Sequence, residues 1–191
     1  PVVASSANRT GQPPPMDCAE ALRDLDGVAD HALDGGPTPL RGASTIVEVR
    51  GRQWRLLRQG VLAERTIERM ARSEVLFVCT GNSCRSPLAE YVFRARLAEA
   101  LGVALGELAE EGYVVSSAGT FAPAGGPASA GTLEELRRRG IDGSAHRSQP
   151  VTPELLQRAD RIYVMTSEHR DEVLDVAPGA ARRVELLDSK G

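Results

Sequence analysis

With 191 residues the chain can form one large domain or two small ones, and 41% hydrophobic with 26% charged residues is a globular composition. A net charge of −3 gives no overall basic footprint for nucleic acid, and no apolar run approaches the ~18 residues that cross a bilayer. Twenty-two of the 23 basic residues are arginine and the remaining one is Lys190, which excludes a phosphate-loop lysine, a lysine Schiff base and an interior lysine base.

In chain order, the first 40 residues hold six of the twelve prolines and read as loops around one short helix over 16–25. From Ser44 the pattern changes. STIVEVR and QWRLLR are two β-rich runs separated by Gly51 and Arg52, a hairpin expected to end a larger sheet. Gly60 stops the second run, and a helix over 61–73 places Leu62, Ile67 and Met70 near one face. That helix reads as the joint between two domains.

The rest alternates in another rhythm. A continuous apolar strand is predicted over 74–79, then a helix over 87–101, a strand over 113–118 and a helix over 130–139 closed by Gly140. A short helix over 153–159, a strand over 161–165, a helix over 167–176 and a strand over 183–187 complete the series. Apolar strands alternating with amphipathic helices predict a parallel sheet covered on both faces by right-handed crossovers. The three cysteines, Cys18, Cys79 and Cys84, fit no disulfide framework, which points to a reducing, cytoplasmic setting and a thiol used for chemistry. His31, His146 and His169 show no metal-ligand pairing, so no metal is expected. The chain opens at Pro1 with neither an initiating Met nor a signal-peptide pattern, from which a fragment is expected.

The most informative run is VLFVCTGNSCRSPLAE, Val75 to Glu90. A buried strand ends at Cys79, and the loop Thr80, Gly81, Asn82, Ser83, Cys84 leads to Arg85, with Ser86 expected as N-cap and Pro87 at the first helical position. Ligands of open parallel sheets bind beyond the carboxyl ends of the strands, where this loop lies. Its backbone N–H groups and the helix start can converge on an anion, and Gly81 and Asn82 tolerate the left-handed backbone such a curl needs. The same donors and the Arg85 charge favour a thiolate at Cys79. Arg85 can pair bidentately with two phosphate oxygens. A thiolate aimed at phosphorus implies phosphoryl transfer through a phosphocysteine, with Ser86 hydrogen-bonding the sulfur as nucleophile and leaving group. The plain alternative is a small buried strand-end cysteine in an anion-binding or interaction domain, with Cys79 unreactive.

CTGNSCRSP resembles the phosphate-binding loop of the low-molecular-weight protein tyrosine phosphatases, and the likeness continues through VSSAGT, GIDGSAHRSQPVT and ADRIYVMTSEHR over residues 74–191. It implies an α/β fold, a flavodoxin-like open parallel sheet with the phosphate-binding loop after its first strand. It implies Cys79 as nucleophile, Arg85 as phosphate clamp, Ser86 as thiolate partner, and Ser117 and His146 holding the loop through Asn82. Cys84 would be the reversible disulfide partner of Cys79. The substrate implied is a phosphotyrosyl protein, with no cofactor. Ser83, small and hydroxylated, keeps the related protein phosphoarginine phosphatases as an alternative, whereas arsenate reduction needs a further cysteine pair that does not follow Cys84. The general acid of the family sits in an Asp-Pro loop; Asp188 is not followed by proline and comes too early, so a domain without that loop and the final helix is expected to lose ~10²–10⁴ in rate.

PVVASSANRTG, GASTIVEV and LLRQG resemble the carboxyl-terminal part of the YrdC/Sua5 threonylcarbamoyl-AMP synthases. The expected organisation is a partial YrdC/Sua5-like α/β domain over 1–60, a linker helix over 61–73 and the phosphatase domain over 74–191. By resemblance, Ala4, Ser6 and Asn8 would contact nucleotide, Ser44 the threonine or its carbamate, and Arg58 phosphate. Pro14 replaces an expected polar contact. The intact first domain would use ATP, threonine and bicarbonate in tRNA modification, with possible nucleotide, tRNA or double-stranded RNA contact and no membrane. A nucleotide- or RNA-binding module beside an inactive phosphatase-like domain is the reading of another class.

Overall fold

The computed structural model describes residues 5–51 and 53–188. It divides into two compact units, Pro1–Met70 and Ala71–Gly191. In the first, helix α1 (Cys18–Asp24) starts where the Asp17 side chain accepts the Glu20 N–H at 2.8 Å, and the Glu20 carboxylate reaches back to the Met16 N–H at 2.7 Å. This reciprocal pair satisfies donors that the first turn leaves without partners. Strands β1 (Ile46–Arg50) and β2 (Gln53–Arg58) form the expected antiparallel hairpin, with Val49 opposite Trp54. Among the described residues no further strand joins it, so the larger sheet anticipated from the sequence is not seen. Gly60 follows because a Cβ there would meet the Ala43 carbonyl at 2.2 Å. Helix α2 (Glu64–Met70) buries none of its residues, and Met70 is 70% exposed. The stripe of Leu62, Ile67 and Met70 therefore does not seat in a core.

The second unit is an α/β sandwich around four parallel strands: β3 (Ser73–Cys79), β4 (Tyr113–Gly119), β5 (Arg161–Val164) and β6 (Val184–Leu186). Their order is β4-β3-β5-β6, so β3 is central and its carboxyl end lies between two crossovers. Period-2 alternation along β3 sends Leu76 and Val78 to one face, where they meet Ile162, Val164, Ala118 and Val173 of helix α6 (Ser167–Val176). Leu156 of α5 (Pro153–Arg158) completes this layer. Phe77 turns to the other face and packs on Phe93 and Tyr163 at 5.5 and 5.6 Å. That face is covered by α3 (Arg85–Leu101), on which α4 (Ala130–Arg138) packs. Cys79, two residues after Phe77, falls on the same side as α3.

Helix α3 ends at Gly102, whose φ of 69° places it in the left-handed region glycine favours. Its start corrects the sequence reading. Cys84 is the N-cap, without a side-chain cap bond, and Ser86 and Pro87 are the second and third helical residues. Proline is tolerated there because no N–H of the first turn has an intrahelical acceptor to lose. The Ser86 hydroxyl is thus free for another use.

Candidate active site

The loop from Cys79 to Arg85 is held from behind by one amide. Asn82 is fully buried, with φ 49°, and its Nδ2 donates to Ser86 Oγ at 3.0 Å and to Ser117 Oγ at 2.8 Å. Its Oδ1 accepts the Gln149 N–H at 2.9 Å, and its backbone carbonyl lies 2.8 Å from His146 Nε2. A carbonyl only accepts, so Nε2 of His146 carries the proton. The predicted supports Asn82, Ser117 and His146 are therefore brought together. Gly81 departs from expectation: the left-handed backbone falls on Asn82 alone, and a Cβ at Gly81 would meet only Ser83 Oγ at 3.7 Å.

Cys79 is buried, with Sγ 3.0 Å from Ser86 Oγ. Since Asn82 donates to that oxygen, the one Ser86 proton is left for the sulfur or for the Ala118 carbonyl at 3.3 Å. A thiolate, which only accepts, takes it. Arg85 is exposed and its Nη2 donates to Thr80 Oγ1 at 3.2 Å. Ser83 and Cys84 line the outer part of the curl, where Cys84 Sγ lies 3.2 Å from Ser129 Oγ and 3.6 Å from Ser83 Oγ. These hydroxyls hold the Cys84 thiol below its ordinary pKa, the Ser129 bond acting most strongly. Cys79 and Cys84 are both free thiols.

Four groups of residues escaped the sequence reading. Gly119 ends β4 opposite Cys79, and a Cβ on it would sit 2.4 Å from the Thr80 carbonyl and 2.9 Å from the Asn82 nitrogen; only glycine lets strand and loop approach so closely. Glu90 of α3 accepts a 2.6 Å bond from Ser117 Oγ, and burial pushes its pKa up despite Arg94 at 3.5 Å. On α4, Thr132 Oγ1 bonds the carbonyls of Ser83 and Cys84, both at 3.2 Å, and Ser129 N–H bonds the Ser83 carbonyl at 2.8 Å. Finally, His169 Nε2 lies 2.8 Å from Thr80 Oγ1, a pairing between α6 and the loop that joins two of the quoted motifs and was not read from either.

In the first unit, Arg58 Nη2 donates to the carbonyl and hydroxyl of Ser44 at 3.0 and 3.3 Å, so these two sites meet. Asn8 Nδ2 bonds its own turn, at Arg9 and Gln12, and Ser6 is exposed. Among the described residues no hydrogen bond joins Ser6 or Asn8 to Ser44 or Arg58; Ala4 lies outside them.

A parallel α/β domain with a Cys-to-Arg loop leading into its first long helix is the class this second unit defines. The model described as low molecular weight phosphotyrosine protein phosphatase matches residues 74–189, and the chain belongs to that family. The Sua5/YciO/YrdC model, described as telomere recombination, matches residues 1–60. The chain is 39% identical over 97 residues to a protein-arginine-phosphatase of Bacillus subtilis, covering 51% of this chain and 58% of that protein. A low molecular weight protein tyrosine phosphatase from T. tengcongensis superposes with a TM-score of 0.52 at 39% identity, over 60% of this chain and 72% of that one. So does a cysteine-to-serine mutant of the YwlE arginine phosphatase with a phosphorylated active-site serine, at 0.52 and 34%, over 60% and 68%. The chain spans about three fifths of the length of the curated relatives it matches first. Among the described residues no helix is long and apolar enough to cross a membrane.

Proposed function

We propose that the second unit hydrolyses phosphorylated proteins through a phosphocysteine on Cys79. The observation that carries this is the Cys79–Ser86–Asn82 chain, which aims the one free hydroxyl proton at a buried sulfur beneath a loop gated by Arg85. The thiolate attacks phosphorus, the bond from phosphorus to the substrate oxygen breaks, and the leaving oxygen takes a proton from solvent water. Water then attacks the phosphocysteine, the S–P bond breaks, and the departing thiolate regains the Ser86 hydrogen bond. Arg85 pairs with the phosphate oxygens in both steps. The phosphorylated serine in the cysteine-to-serine YwlE mutant supports a covalent route for that relative.

Phosphotyrosine is the substrate we favour, because Phe121, whose N–H bonds the Thr80 carbonyl, leaves a 74% exposed ring beside the loop for an aromatic leaving group. Phosphoarginine is the second reading, favoured by the small Ser83 and by the arginine phosphatases among the relatives. Cys84 serves as the reversible disulfide partner of Cys79. Residues 1–60 we take as the tail of a threonylcarbamoyl-AMP synthase-like domain, using ATP, threonine and bicarbonate when whole. Phosphate release from phosphotyrosyl and phosphoarginyl peptides tests the reading of the second unit. Release is expected to vanish in Cys79→Ser, with a mass increase of one phosphoryl group on Cys79 of the parent when turnover is stopped by rapid denaturation; full activity in the serine variant overturns it.

A further inference from the structure

His169 is 4% exposed and lies in the first turn of α6, where the Thr166 side chain caps the helix. Its ring is bonded at both nitrogens: Nδ1 lies 3.0 Å from Thr166 Oγ1 and Nε2 lies 2.8 Å from Thr80 Oγ1. Thr80 Oγ1 also accepts from Arg85 Nη2 at 3.2 Å. A guanidinium has no acceptor, so Arg85 must donate to Thr80, and the Thr80 hydroxyl still has its own proton to give to Nε2. When it does, Nε2 is the unprotonated nitrogen and Nδ1–H donates to Thr166. The proton directions along Arg85, Thr80, His169 and Thr166 form one consistent chain, fixed at its far end by a helix cap.

We propose that neutral His169, as its Nδ1–H tautomer, is a positioning residue that orients the Thr80 hydroxyl and so presets Arg85 for phosphate. The inference rests on the phosphatase reading of the loop. Thr80 occupies one of the five N–H groups of Arg85 and leaves four for the anion. Without the Nε2 acceptor, the Thr80 hydroxyl turns elsewhere and its lone pairs no longer face Arg85. The charged groups acting on His169 are Arg85 of α3 and Glu168 and Glu172 of its own helix. Burial and Arg85 together outweigh the two carboxylates and hold its pKa below the ordinary 6.5. The neutral ring of the proposal is thus the form favoured near neutral pH.

Inorganic sulfate, whose charge is constant across the window, tests this with the full chain, its affinity followed by NMR shifts of the loop amides. His169→Leu and Thr80→Val are each expected to weaken sulfate about 3- to 10-fold, the worth of one hydrogen bond. The double variant should be no weaker than either single one, since both cut the same chain. His169→Gln, which keeps an acceptor, should recover most of the affinity. On acidification from about pH 8 to about pH 5, wild-type affinity should fall relative to His169→Gln. A histidine acting only as a nearby positive charge would do the reverse and strengthen sulfate as it protonates. Imidazole nitrogen shifts of the unmodified chain should report Nδ1–H, a readout that needs no variant to fold. An Nε2–H tautomer, additive single losses, or a gain of affinity on acidification overturns the proposal. Sulfate binding that survives Arg85→Ala would instead overturn the loop reading itself, so the two failures are distinguishable.

Discussion

Replacing Asn82 with alanine removes three side-chain hydrogen bonds at once and leaves the residue at φ 49°. At about 1 kcal/mol for each bond the loss is roughly 3 kcal/mol, and the left-handed backbone without the amide adds about 1. A total near 4 kcal/mol is a large part of the ~5–15 kcal/mol that stabilises a domain. Asn82→Gly loses the same bonds without the backbone penalty, so it should fall about 1 kcal/mol short of the alanine loss. Asn82→Asp isolates the chemistry. A carboxylate turns both Asn82 donors into acceptors, so Ser86 must give its proton to Asp rather than to Cys79. Urea unfolding read at constant slope gives the stabilities, and iodoacetate labelling reads the thiol. The expected order of stability is wild type, glycine, alanine, with Cys79 labelling slowed in the aspartate variant. An alanine loss below about 1 kcal/mol, or glycine no better than alanine, refutes the view that Asn82 organises the loop.

Gly119→Ala should displace the loop, because its Cβ meets backbone at 2.4 and 2.9 Å and the Ala122 Cβ at 2.7 Å, none of them the end of a flexible side chain; a loss of about 1–3 kcal/mol together with weakened sulfate binding is expected by calorimetry and NMR. Glu90 has a native pKa raised above its ordinary 4.5, so the native state holds the proton more tightly than the unfolded one and Glu90 costs stability progressively as pH rises through that window. The stability of Glu90→Gln minus that of wild type should therefore grow from about pH 4 upward and level off once native Glu90 has ionised, whereas a flat or falling difference in urea unfolding contradicts the assignment. Ser129→Ala removes the strongest of the bonds that lower the Cys84 thiol, so the pH profile of Cys84 alkylation, followed by peptide mass in a Cys79→Ser background, should move to higher pH. The same variant loses the N-cap of α4, which costs about 1 kcal/mol.

The parallel sheet and the Cys-to-Arg loop were legible in sequence because both are local. EVLFVC is a buried run that only a central strand accommodates, and a Cys, a curl and an Arg opening a helix sit within seven residues. What failed was anything that needed a choice between two roles for one group. Ser-Pro reads as N-cap and first residue, yet the helix starts at Arg85 and the Ser86 hydroxyl goes to the sulfur. Gly81 reads as the left-handed residue beside Asn82, yet the amide that bonds the core is the one that takes the strained φ. In the first unit the hairpin was readable from alternation alone, but the stripe on α2 was a poor guide, because an amphipathic pattern names a face without naming what covers it.

Glu90 and His169 show a different limit, since each lies on a helix whose periodicity assigns it no special place. Glu90 closes the run VLFVCTGNSCRSPLAE without a role of its own, and His169 enters the sequence reading only as a histidine without a metal-ligand partner. Both are buried against the loop from opposite sides, Glu90 through Ser117 to Asn82 and His169 through Thr80 to Arg85. Their separations in sequence from the groups they reach, 27 residues for Glu90 to Ser117 and 89 for His169 to Thr80, are set by the crossovers of the fold. The loop thus takes its shape from side chains on several elements, with Asn82 fixing the curl under Cys79 and Thr80 fixing the approach of Arg85. Those two supports share no hydrogen bond, so a variant that weakens Arg85 placement through His169 should leave the Asn82 network and its contribution to stability intact.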